Sequence, residues 1–168
     1  MRQRVLSVLG VLLLALAVAA PATASQRPER FPSESGPADF PAGSTCSFAV
    51  RWQPLEDHST IAVFPVQPNG DQVTRITGRY VNRVINLDTG AFEDYVANAR
   101  LDIVSHADGT FDIHAKGPVL AAYGSADLTG PGMFYFVGNL HDELDENFTV
   151  LAHSFSGTAE DICETLSD

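Results

Sequence analysis

Positive charge is scarce in this chain of 168 residues: ten Arg and Lys stand against 21 Asp and Glu, a formal net charge of −11, and Lys116 is the only lysine. Such a balance argues against nucleic acid and anionic membrane surfaces as partners, because both are repelled over a Debye length. Cysteine is scarce too, with Cys46 and Cys163 alone. No ligands close to them in sequence complete a two-Cys metal site. A nucleophile elbow is missing. Tyr123-Gly124-Ser125-Ala126 and His153-Ser154-Phe155-Ser156-Gly157 both depart from G-x-S-x-G. The histidines His58, His106, His114, His141 and His153 include no H-x-H or H-x-x-x-H spacing, so local sequence does not argue for zinc. No segment must be a long helix.

What the chain does have begins at its first residues: Arg2 and Arg4, an uncharged run from Val5 to Ala20, then Pro21-Ala22-Thr23-Ala24. This is the three-part pattern of a signal peptide, 1–24, with cleavage expected after Ala24. The apolar run of 16 residues is shorter than the roughly 20 that span a bilayer, which counts against a membrane anchor. No Cys follows for lipid attachment, and Met1-Arg2-Gln3-Arg4 lacks a twin-arginine pair. The expected product is secreted and extracellular, with no stable membrane association after cleavage. It runs from Ser25 to Asp168, with eight basic residues against 21 acidic ones, a net −13. Its length suits one domain.

Export and an even count make Cys46–Cys163 a predicted disulfide. Closing a loop of that length stabilises by on the order of 4 to 5 kcal/mol in the chain-entropy model. Residues 25–45, rich in Pro, Ser, Glu and Gly, read as a flexible leader with little apolar surface to offset ordering. From Cys46 the texture changes. Phe48, Val50 and Trp52 alternate with polar neighbours, and Thr60–Val66 is β-branched and aromatic. Pro68-Asn69-Gly70-Asp71, Asp88-Thr89-Gly90 and His106-Ala107-Asp108-Gly109 are turns by their chemistry. Between them a long strand from Gln72 to Leu87 is broken only at Gly78, expected as a bulge or bend. Further strands follow at Phe92–Ala97, Ala99–Ser105, Thr110–Ala115, Val119–Tyr123, Met133–Val137 and Thr149–Phe155, and Ala159–Leu166 has helical composition.

Short strands at hairpin spacing predict an all-β domain over 46–168. A single antiparallel β-barrel is the expected form, because closure removes exposed edges; a β-sandwich is the alternative. A short helical tail carries Cys163.

At Ile76-Thr77-Gly78-Arg79, Asn86-Leu87-Asp88-Thr89-Gly90, Asp108-Gly109-Thr110, Ala115-Lys116-Gly117-Pro118 and Asp161-Ile162-Cys163 the chain resembles small secreted actinobacterial proteins of unknown function. They share a signal peptide, an early Cys, an NLDTG hairpin, a DG hairpin, a GP step and a late D-x-C. The resemblance spans Cys46 to Cys163, supports the disulfide and implies a bacterial source. Its motifs are turn motifs, so it implies fold and brings no functional residue with it.

Three groups of residues carry possible chemistry. The octet His141–Phe148 holds Asp142, Glu143, Asp145 and Glu146. Those four are candidate calcium ligands, but Leu144 interrupts the alternation and no glycine makes the sharp turn a hard-cation loop needs. A solvated hairpin tip is the simpler reading. Arg75, Arg79 and Arg83 recur every four residues on the long strand. Facing a cavity, they would bind an anion by forked hydrogen bonds; facing solvent, they would pair with Glu93, Asp94 or Asp102. His153 lies between Leu151 and Phe155 on the expected inward face, where a satisfied core histidine competes with a ligand-binding one. His106, His114 and His141 read as solvated.

No cofactor is expected. The leading functional expectation is a non-enzymatic secreted β domain binding an unidentified small molecule or protein. The alternatives are a hydrolase or isomerase with its site in the barrel mouth, and a calcium-stabilised extracellular module.

Overall fold

The computed structural model describes residues 27–167; the expected signal peptide lies outside the described residues. Eleven strands and one short helix follow in order: β1 Glu29–Pro32, β2 Ala38–Phe40, β3 Val50–Asp57, β4 Thr60–Val63, β5 Gln72–Thr77, β6 Tyr80–Asn86, β7 Phe92–Ala97, β8 Arg100–Ser105, β9 Phe111–Tyr123, β10 Gly132–Leu144, β11 Val150–Asp161 and α1 Ile162–Thr165. They build two antiparallel sheets, one of seven strands in the order β1-β4-β5-β8-β9-β10-β11 and one of four in the order β2-β3-β6-β7.

Three short chain segments pass between the two sheets, two from the small sheet to the large and one the other way. These crossings fall at His58-Ser59 between β3 and β4, at Gly78-Arg79 between β5 and β6, and at Asn98-Ala99 between β7 and β8. Gly78 is therefore the bend its sequence position predicts. Its φ is +140°, and a Cβ there would collide with the His58 carbonyl oxygen, so an L side chain is excluded on two counts. A second crease runs across the long strands, where Gly117, Gly138 and Gly157 stand in register on β9, β10 and β11. There a Cβ on Gly138 would strike the Ser156 carbonyl oxygen, and one on Gly157 the Val137 carbonyl oxygen. Backbones approach this closely only without side chains.

The expected single barrel is not what forms. Each sheet keeps two edges, β1 and β11 in the larger, β2 and β7 in the smaller. At the corner β7 does not pair with β9; the segment that follows β7 touches β9 through the Ala99 N–H to Pro118 carbonyl bond (3.1 Å). The architecture is sandwich-like. The expected flexible leader also differs, because β1 pairs with β4 and β2 with β3. Both are edge strands whose side chains are mostly exposed. Backbone hydrogen bonds hold them without the apolar burial whose absence the composition registers.

Two apolar clusters fill the interior. The first joins Phe48, Val50, Val84, Tyr95 and Met133 to Ile162 and Leu166 of the C-terminal segment. Cys46 and Cys163 clasp it, bonded with Cα atoms 5.3 Å apart, as the sequence predicts. The second joins Ala115, Tyr123, Phe136, Leu140, Leu144 and Val150. The N-terminal half of β10 thus has both faces covered: Met133 and Tyr135 pack on the first cluster, Phe134 and Phe136 on the second. Cover on both faces accounts for the apolar run Met133–Phe136, whereas Val137, the next residue, is exposed.

Candidate binding face and the groove across it

The outward face of the larger sheet is polar, and the register of five strands makes it so. Arg75, Asp102, His114, His141 and Ser154 stand opposite one another across β5, β8, β9, β10 and β11. One pleat away lie Arg100, Lys116, Asn139 and Ser156. Cross-strand neighbours in such rows have Cβ atoms about 5 Å apart, close enough for direct contact. The two rows border an open groove of about 430 Å³, lined by Arg100, Asp102, His114, Lys116, Asn139, His141, Ser154 and Ser156 together with the apolar Ala115, Leu140 and Phe155.

Within this face Asp102 accepts hydrogen bonds from Arg75 Nε (2.5 Å) and Arg100 Nη2 (2.6 Å). Burial alone would raise its pKa, but the two guanidinium groups outweigh that and hold the carboxyl below the usual range. His114 and His141 stack with ring centroids 4.2 Å apart and 12° between planes. His141 Nε2 lies 3.3 Å from Asp112 Oδ1. The other oxygen of Asp112 sits 3.0 Å from His106 Nε2, and His106 Nδ1 lies 3.1 Å from Asp71 Oδ1. Two carboxylates thus face both nitrogens of one imidazole. Hydrogen bonding to Asp112 first, then to Asp71, raises the His106 pKa, because both ring nitrogens donate only when the ring is charged.

The opposite face of the same strands carries a second polar group. Asp142 is buried, 5% exposed. It accepts from the Tyr123 hydroxyl (2.9 Å) and from His153 Nδ1 (2.6 Å). A carboxylate oxygen accepts, so the imidazole carries its proton on Nδ1. The His153 ring rests edge-on against Tyr123 (5.7 Å) and beside Phe136 (5.9 Å). Burial first, then the Asp142 charge, pushes the Tyr123 phenol well above its ordinary range. Nearby, Asp127 accepts from the backbone N–H groups of Gly124 (2.5 Å) and Val150 (2.7 Å), pinning the β9–β10 loop to β11.

The sequence-level candidates distribute as follows. His153 does face inward, satisfied by Asp142 rather than by backbone. The four acids of the octet do not converge. His141–Leu144 is strand rather than turn, Asp142 turns inside, and Glu143 and Glu146 are exposed. Asp145 Oδ1 accepts from the N–H groups of Asn147 (2.9 Å) and Thr149 (2.8 Å), closing the turn. Those backbone bonds, Thr149's foremost, hold its pKa down. The arginines do not form a row either, since Arg75 lies in the larger sheet, Arg83 in the smaller, and Arg79 at the bend between them. Each pairs with an acid: Arg75 with Asp102, Arg79 with Glu56 (3.0 Å) and Arg83 with Asp94 (2.7 Å). Arg83 also covers the Phe92 ring at 4.0 Å.

Sequence reasoning missed the grouping of His106, Asp112, His114 and His141. The usable signal was hairpin register: with Tyr123 opposite Gly132, counting nine residues back along β9 and nine forward along β10 sets His114 against His141. Comparison of the chain with protein-family models, with curated proteins and with solved structures found no match in any of the three.

Proposed function

We propose that the chain is an exported, non-enzymatic β domain that holds a small polar molecule on the outer face of its larger sheet. The observation that carries this reading is the groove. In a chain of strong net negative charge, it gathers Arg100, the sole lysine Lys116 and two histidines beside Asp102, Asn139, Ser154 and Ser156. That lining offers cationic donors to an anionic end of a ligand and neutral acceptors to its hydroxyl or amino groups. A rigid sheet fixes these groups before any ligand arrives, which limits the ordering cost of binding.

Export through residues 1–24 belongs to the same proposal and is compatible with the Cys46–Cys163 disulfide. So does the bacterial source implied by the resemblance to secreted actinobacterial proteins. The test is native mass spectrometry of protein secreted by its own host. A retained mass that disappears in Lys116→Glu is the expected result, on a polypeptide beginning at Ser25. A bare chain, or a retained mass indifferent to Lys116→Glu, contradicts the groove.

One observation favours a second reading, a hydrolase or isomerase. Asp142 orients His153 at 2.6 Å, as a general base is oriented. Against it, residues 154–156 line the groove from β11 while His153 packs on aromatic rings. Turnover of an ester or an epimerisable substrate that is lost in His153→Gln would establish the enzyme and displace the binding reading.

A further inference from the structure

From the outer face we infer that Asp112, His114 and His141 form a binding site for a zinc-class divalent metal. One carboxylate oxygen and one nitrogen from each imidazole lie within 4.8 Å of one another. Tetrahedral zinc with bonds of about 2.0 to 2.1 Å holds its ligand atoms about 3.3 Å apart. Rotation about the side-chain bonds supplies that contraction, since His114 is exposed and His141 partly so. The backbone has nothing to rearrange: the histidines are direct cross-strand partners, and Asp112 stands two residues before His114 on the same face of β9.

The donor set selects the metal. Two imidazoles and a carboxylate suit zinc and its neighbours, whereas calcium and magnesium require a shell of oxygens. A ligating carboxylate is commonly held by a hydrogen bond on its free oxygen. His106 already provides one at 3.0 Å and is itself anchored by Asp71 at 3.1 Å. Both cysteines are bonded to each other, so no thiolate competes. Three protein ligands would leave one coordination position for water or an added anion, and two of the three, His114 and His141, also line the groove. The site stands whether or not the groove also retains an organic molecule, because the readouts differ.

The experiment uses the secreted chain without a histidine tag, its disulfide intact. Zn²⁺ is titrated by calorimetry in a weakly chelating buffer, and Co²⁺ is followed by its visible d–d absorption. The expected result is one metal per chain and the intense Co²⁺ band of a four-coordinate site. His114→Gln and His141→Gln should each weaken binding by more than about 100-fold, and His106→Gln by about tenfold through the loss of its hold on Asp112. His58→Gln, at the β3–β4 crossing, should change nothing. All four positions are exposed or partly so, and folding of each variant is checked by circular dichroism. Absence of saturable one-to-one binding overturns the site. So does equal binding in His114→Gln, His141→Gln and wild type, or a six-coordinate Co²⁺ spectrum in the wild type.

Discussion

His141 and Asp142 are consecutive residues of β10, and His153 and Ser154 are consecutive residues of β11, yet each pair divides between two unlike environments. On the inner side, the buried Asp142 carboxylate is consumed by Tyr123 and His153 among aromatic rings. On the outer side, Asp112 bridges His106 and His141 in a face still open to solvent. The same two residue types therefore serve opposite purposes. Inside, a buried carboxylate must find its partners within the fold, and each oxygen of Asp142 accepts one hydrogen bond. Outside, water shares the load, and His114 and His141 stand open to a visitor from the groove.

The contrast can be broken most severely from inside. Asp142→Ala leaves the Tyr123 hydroxyl and the His153 N–H without their acceptor, and unfolding in urea should show a loss of about 3 kcal/mol. A loss below about 1 kcal/mol would mean that the inner group is not closed. A smaller effect is expected at Asp102, held by Arg75 and Arg100. Its folded pKa is depressed, so its stabilisation is present above the unfolded value of about 3.9 and is lost as pH falls through the lower folded value. Asp102→Asn should cost about 1 kcal/mol at pH 6 and less as the pH is lowered below the ordinary carboxylate range, read by denaturant midpoints across that range. Asp112→Ala, on the open face, should change metal-free stability by less than about 1 kcal/mol. The least effect is expected from calcium: millimolar Ca²⁺ should leave Tm unchanged, because the octet's acids point in different directions. A rise of several degrees would restore the octet as a cation loop.

Much of the fold was legible because it is local. The period of two in Phe48, Val50 and Trp52, the turn at Asn69-Gly70, and the break at Gly78 each depend on residues within a few positions. The late cysteine meets the early one as compartment and count imply. The leader misled because edge strands need only backbone pairing, which composition does not report. The barrel failed because closure is decided where β7 approaches β9, far apart in sequence. His141 and Asp142 share one polar octet in the sequence, although a strand sends adjacent side chains to opposite faces. Once β10 extends to Leu144, that alternation alone separates them.

The amino-acid order by itself determined that this chain alternates, turns at Asn-Gly and Asp-Gly steps, bends at Gly78 and carries two cysteines able to clasp its ends. These are properties of short segments, governed by backbone sterics and side-chain period. Only the tertiary structure decided that His114 faces His141, that Asp142 is enclosed, and that two creased sheets stay open. Those outcomes depend on register between strands tens of residues apart, a relation that no local pattern encodes.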